Sequence, residues 1–271
     1  MTASEPVRSA LERLSVLPDL IPSATAGQPK PHNTHIHLPP NFSAFDTVTE
    51  AVDGAKAEGV AVLGVSNYYH YGVYGEFARE ACASGILPLF GTEIICLIDD
   101  LVQSCVRIND PANPGKMYIC GKAITSFDPP SPEASSLLQT IRDKDSLRMA
   151  EMVVRLGEVF RKAGFDAELD EAEVKAMVVR RHGCPPESVY LQERHVAQAF
   201  QERMAERLSS AEMAGVLTRA YGNAPKADPS QAVATQNEIR SRLMKAGKPG
   251  YVTETFVDFD HAYRLIVALG G

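Results

Sequence analysis

Two histidines separated by one residue, His35-Ile36-His37, are the sharpest local feature of the sequence. On a β-strand, residues i and i+2 project from the same face. Two imidazoles so placed can bind one metal ion or two adjacent ions. They can equally be a surface pair satisfied by ordinary hydrogen bonds. Glu93 lies in Phe90-Gly-Thr-Glu-Ile-Ile95, an otherwise apolar run. A carboxylate there must be exposed or paired. It can bridge divalent cations as a hard oxygen ligand, or form a structural salt bridge. Arg194 and His195 stand together in Gln192-Glu-Arg-His-Val-Ala-Gln-Ala-Phe200. That segment opens a helix, where free N–H groups and the dipole favour an anion. A guanidinium there suits a phosphate; an exposed Arg beside a helix-lining His accounts for the pair as well. Tyr68, Tyr69, Tyr71 and Tyr74 can form a pocket wall that stacks on a base or sugar, or simply pack a loop.

Positioning these groups requires strands that end at one mouth. The pattern predicts an amphipathic helix over 4–16, a loop over 18–34 and a strand over 33–38. A helix over 46–59 follows, with Asp46 as candidate N-cap. The continuous apolar run over 59–65 reads as a strand buried on both faces. A helix over 74–84, a strand over 86–97 with a possible kink at Gly91, and a strand over 116–121 complete the first half. From 134 to 247 the periodicity is helical, over 137–141, 147–163, 171–180, 193–206, 211–221 and 232–246. A strand over 250–254 and a helix over 258–269 end the chain, with Asp258 as a helix cap. Gly270-Gly271 resembles a helix C-cap leading towards a further strand, so the rhythm is expected to stop before an α/β barrel closes.

Strand–helix alternation indicates a parallel sheet or a (β/α) barrel, with the helical stretch inserted over one end. The expected organisation is 1–30 as N-terminal helix and loop, 31–128 as the barrel portion, 129–247 as helical insertion and 248–271 as a last β/α unit. Because barrel sites form at the carboxyl ends of the strands, His35, His37, Asn67 to His70, Glu93 and Lys122 are expected at one mouth.

The 271 residues include 27 Lys+Arg and 34 Asp+Glu, a net charge of −7, which argues against nucleic acid as the main partner. A local basic pocket stays compatible with that balance. With 45% hydrophobic and 23% charged residues the chain has a globular composition. No apolar run suits a membrane span and no signal-peptide core is present, so a cytoplasmic protein is expected. The five cysteines form no C-x-x-C pair and read as buried thiols, not as a disulfide framework or a zinc–thiolate site.

Taken in order, His35-x-His37, Gly64-Val-Ser-Asn-Tyr-Tyr-His70, Gly91-Thr-Glu-Ile and Glu193-Arg-His-Val-Ala resemble the PHP (polymerase and histidinol phosphatase) superfamily. That family consists of metal-dependent phosphoesterases on a distorted (β/α)7 barrel. The resemblance covers 30–125, about 187–200 and the last unit, and implies an incomplete barrel of this α/β type with a helical insertion. It implies His35, His37, Glu93 and His195 as metal ligands and Arg194, together with Lys122, as groups facing a substrate phosphate. The metal would be Mn, Fe or Zn. The implied activity is hydrolysis of a small phosphomonoester by metal-activated water.

The sequence departs from the family pattern in several places, among them Leu38-Pro-Pro after H-x-H and Tyr118 near the position of a family His. Ser66-Asn67-Tyr68 stands where the family has T-D-H, and His70 is the candidate replacement ligand. Arg194 and His195 are adjacent, without the intervening proline of R-P-H-I-A. The A-H-P and D-x-H motifs would fall beyond Gly271. A trinuclear cluster therefore looks incomplete, whereas a single-metal site with three or four ligands is compatible. The alternative is a degenerate domain that binds a ligand or partner without catalysis. An amidohydrolase-type barrel shares H-x-H, but its later Lys or His strand motif and terminal Asp are not found.

Overall fold

The computed structural model describes Val7, Arg8, Glu12, residues 30–110 and residues 113–271. Apart from those first three residues, the helix expected over 4–16 lies outside the described residues, as does the loop up to residue 29. The sheet contains β1 (His32–Ile36), β2 (Val62–Val65), β3 (Leu87–Leu97), β4 (Lys116–Lys122) and β5 (Val257–Asp258). Its order is β1-β2-β3-β4, with β5 paired to β3.

The first three strands are parallel, as the alternation implies. Helices α1 (Val48–Ala57) and α2 (Tyr74–Ala83) make the crossovers. Thr47, not Asp46, caps α1: its side chain accepts from Glu50 N–H, while Glu50 returns a carboxylate oxygen to Asp46 N–H at 2.7 Å.

β4 departs from the expected parallel pattern and runs antiparallel to β3. Among its described residues the link between them, residues 98–115, holds the five-residue α3 (Asp99–Gln103), and it turns back at Gly115 with φ +69. The sheet also curls. Flat strands about 4.8 Å apart would keep β1 and β4 well separated across two intervening strands. Yet Lys122 Nζ donates to Thr34 O at 2.7 Å, and Cys120 Sγ lies 3.6 Å from His35 Nδ1. The result is an α/β fold whose curled sheet forms part of a barrel.

The helical half holds α4 (Pro132–Lys162), α5 (Glu171–His182), α6 (Glu193–Arg207), α7 (Ser210–Tyr221) and α8 (Ala232–Ile239). A π-helical turn, Arg240–Met244, continues α8. Two helices expected over 137–141 and 147–163 are one. The polar stretch between them holds no Gly or Pro, and its Asp145 is buried and paired at 3.2 Å with buried Arg148 just beyond it. Polarity that resembles a loop is here an ion pair on an interior helix face. The strand expected over 250–254 is absent from that position; β5 forms at Val257–Asp258 instead. Asp258 caps α9 (Phe259–Ala268) as expected, accepting from His261 N–H at 2.8 Å.

The apolar core forms two clusters. One gathers Phe77, Phe90, Leu138 and Leu265 around the sheet; the other gathers Met152, Phe160, Phe200 and Leu217 among the helices. α4 serves both, changing cluster between Ile141 and Met149. No helix among the described residues is long and apolar enough to cross a membrane.

Candidate metal centre

Register builds the site. On the antiparallel ladder Glu93 faces Cys120, Gly91 faces Lys122 and Ile95 faces Tyr118. Alternation then puts Lys116, Tyr118, Cys120 and Lys122 on the same face as Glu93. Gly91 permits the close approach, because a Cβ there would lie 2.7 Å from Gly121 O. β1 and the residue after it bring His35 and His37 to this face.

His35 Nε2 lies 2.6 Å from Glu93 Oε2, and His37 Nε2 lies 3.6 Å from the same oxygen. The other carboxylate oxygen accepts from Tyr68 O–H at 2.6 Å. The Tyr68 ring stacks on His37, with centroids 5.0 Å apart and planes 12° apart. One donor atom each from His35, Glu93 and Cys120 lie within 4.8 Å of one another. Burial lowers the His37 pKa against the opposing pull of Glu93, so its imidazole stays neutral and able to ligate. Burial and the Glu93 charge both raise Tyr68, which therefore remains a phenol that donates. Two imidazoles, one carboxylate and one thiol are a donor set that fits a divalent ion.

Other expected ligands do not join this group. Asn67 is fully buried and fastens Leu38: its Oδ1 accepts from Leu38 N–H at 2.8 Å and its Nδ2 donates to Leu38 O at 2.9 Å. His70 lines a separate cavity of about 380 Å³ with His182 and Glu187. It accepts there from Gly72 N–H at 3.2 Å. His195 is buried at the start of α6, where its Nδ1 accepts from Gln192 N–H at 3.1 Å in a capping box. Burial, reinforced by Arg181 and His182, pushes its pKa down to about 3. Lys122 binds Thr34 O and Ser66 Oγ at 2.7 and 2.9 Å, tying β1 to the end of β2.

Beside His37 and Tyr68 opens a cavity of about 280 Å³, lined by Lys116, Arg148, Arg194, Arg240 and Lys245 among others. Most of these cations are already paired. Lys116 binds Glu254 at 3.0 Å, Arg148 binds Asp145 at 3.2 Å and Lys245 binds Glu193 at 2.7 Å. Burial alone would raise Glu193, but Lys245, then Arg148, hold it down at about 2. Arg194 differs. It lies over the Phe42 ring at 5.3 Å and donates to Asn237 Oδ1 at 3.2 Å. No ion pair joins it to a carboxylate among the described residues. Arg240 Nε is buried without a hydrogen-bond partner, and its Nη2 reaches Glu193 only at 3.5 Å. Two incompletely satisfied guanidiniums on one cavity suit a bound anion.

Sequence reasoning does not single out Cys120, Arg240 or the Tyr68–Glu93 bond. The alternation Lys116-x-Tyr118-x-Cys120-x-Lys122 is visible in the sequence and marks a polar strand face. That this face meets Glu93 depends on the antiparallel register. Cysteine spacing gives no sign of the thiol, because its neighbours come from other strands.

No protein-family model matches the sequence, and no curated protein matches it. Among solved structures, the chain is similar to an amidohydrolase from Chromobacterium violaceum, solved with bound sulfate and no metal. Identity is 21%, the TM-score is 0.55, and the match covers 88% of this chain and 64% of that one. The likeness is one of fold, and this chain spans about 64% of that protein's length. A structure assigned provisionally as a metal-dependent phosphoesterase, from Bifidobacterium adolescentis, is more distant. It shares 14% identity at a TM-score of 0.35, over 89% of this chain and 98% of that one.

Proposed function

We propose that this chain is a metal-dependent hydrolase of a small phosphomonoester. The observation that carries the reading is a His35–His37–Glu93–Cys120 donor group beside a cavity on which Arg194 has no carboxylate partner among the described residues. A divalent ion held by those donors would supply Lewis acidity and a water acidified towards neutrality. Arg194 and Arg240 bind and orient the anionic group of the substrate. Phe42 and Asn237 hold the Arg194 guanidinium in place. Tyr68 fixes the Glu93 carboxylate through its hydroxyl and walls His37 with its ring. Lys122 is a positioning residue, anchoring the backbone just before His35.

A second reading, ligand binding without catalysis, is favoured by one observation. Among the described residues Glu93 is the only carboxylate in the donor group, Asn67 and His70 are engaged elsewhere, and His195 keeps only its Nε2 free, in a cavity it lines with His35 and His37.

Both readings are separated by metal content, measured without chelator or metal resin, followed by phosphate release from a panel of phosphomonoesters. The hydrolase reading expects one or more Mn, Fe or Zn per chain and turnover. Arg194→Met should raise KM by about 10- to 150-fold, the worth of a charge-assisted hydrogen bond of about 1.5–3 kcal/mol. Bound metal with no turnover across the panel supports the binding reading. Absence of metal after soaking overturns the metal centre.

A further inference from the structure

We infer that Cys120 is a metal ligand whose thiolate makes this centre select zinc-class ions over manganese and magnesium. The inference rests on the metal-centre reading above and specifies the ion that centre takes.

Cys120 is placed by the sheet. It stands directly across the β3–β4 ladder from Glu93, in a run of pairs that extends from Gly91–Lys122 to Leu97–Lys116. Its side chain therefore shares a face with the carboxylate without any rearrangement of backbone. Two of the spacings match a coordination polyhedron. The third, Glu93 Oε2 at 2.6 Å from His35 Nε2, is a hydrogen bond that must open as His35 turns its Nδ1 to an ion. Tetrahedral bonds of about 2.3 Å to sulfur and about 2.0 Å to imidazole nitrogen set those two atoms about 3.5 Å apart. Cys120 Sγ and His35 Nδ1 are 3.6 Å apart. Bonds of about 2.0–2.1 Å to oxygen and nitrogen give about 3.4 Å, and Glu93 Oε2 lies 3.6 Å from His37 Nε2.

Charge and donor chemistry point the same way. One carboxylate and one thiolate together balance a divalent cation, whereas Glu93 alone leaves an excess positive charge. Mg²⁺ requires a near-octahedral oxygen shell. This face offers it one carboxylate, because the Asn67 amide is bonded at both ends to Leu38. Thiolate and imidazole instead favour Zn²⁺ and Co²⁺. The neighbouring ammonium does not compete for the position, since Lys122 is held by Thr34 O and Ser66 Oγ. Cys120 is only partly buried, so an ion can reach it.

The test is cobalt loading of the metal-free full chain, followed by absorption spectroscopy. Thiolate ligation predicts a near-ultraviolet sulfur-to-cobalt charge-transfer band in addition to visible d–d bands. Cys120→Ser should lose the charge-transfer band and weaken zinc by about 100-fold or more, since outer-shell changes alone cost 10- to 100-fold. Manganese affinity should change less than about threefold by the same reasoning. Cys120→Asp should restore tight binding with the preference moved towards manganese. Visible bands without a charge-transfer band in the wild type would overturn the inference and leave the hydrolase reading intact. So would zinc affinity unchanged in a folded Cys120→Ser variant. A charge-transfer band in a chain that releases no phosphate supports Cys120 while removing the hydrolase reading. Failure to bind cobalt or zinc overturns both.

Discussion

Replacing Tyr68 by Phe isolates one interaction at the centre of the site. The Tyr68 hydroxyl donates to Glu93 Oε1 at 2.6 Å, and Glu93 is 6% exposed. The other oxygen of that carboxylate faces His35 at 2.6 Å. Phe retains the ring that stacks on His37 at 5.0 Å, so packing is conserved and the hydroxyl alone is lost. A charge-assisted hydrogen bond contributes about 1.5–3 kcal/mol, and the stranded oxygen carries its own desolvation penalty. The expected destabilisation of the metal-free protein is therefore about 2 kcal/mol. At about 2–4 °C per kcal/mol for a chain of this size, Tm falls by about 4–8 °C. Urea unfolding of the wild type, Tyr68→Phe, His35→Ala and the double variant forms a cycle. Both partners act on one carboxylate, so the double variant should depart from additivity by about 1 kcal/mol. A loss below about 0.5 kcal/mol with an unchanged m-value would exclude a stabilising Tyr68–Glu93 bond, because it would mean that water replaces the phenol at Glu93 Oε1.

Two further outcomes follow from buried charge. His195 is depressed from 6.5 to about 3, by burial first. Between those values the unfolded chain takes up a proton that the folded chain refuses, so this group removes stability as pH falls below 6.5. His195→Gln keeps an acceptor for Gln192 N–H and lacks the titration. The stability difference between variant and wild type should shift by on the order of 3 kcal/mol in the variant's favour from pH 7 to 4. A pH-independent difference in urea unfolding would exclude a buried neutral imidazole. Glu254→Ala strips Lys116 of a partner at 3.0 Å and Arg148 of one at 3.4 Å, both cations being nearly inaccessible. Each keeps another carboxylate, Asp110 at 3.3 Å and Asp145 at 3.2 Å. The loss should thus sit at the low end of broken buried pairs, about 3 kcal/mol. Unfolding free energy reduced by less than about 1 kcal/mol would contradict it.

Local patterns carried much of the architecture. The apolar run ending at Val65, the amphipathic periods of α1, α2 and α5–α9, and the Asp258 cap each depend on residues near one another in sequence. Three features were not legible for the complementary reason. The single helix α4 depends on an Asp145–Arg148 pair lying inside the fold, although its composition resembles a loop. The antiparallel course of β4 depends on how the β3–β4 link turns back. The cavity cations come from β4, α4, α6, the π-helical turn and Lys245 just after it, and their pairing is a property of how these elements pack.

For the site itself, the sequence alone determined that His35 and His37 share a strand face, because alternation is a property of the extended backbone. It also marked Glu93 as a carboxylate with no ordinary place in an apolar run, and Arg194 as a cation at a helix start. Only tertiary structure decided which groups meet. Sheet curl brought β1 against β4, register set Cys120 opposite Glu93, and the loop after β2 turned Tyr68 inward while His70 went to another cavity. Coordination needs donors a few ångströms apart in space. That distance is set by the path of the chain and the packing of its elements, which no local pattern of residues contains.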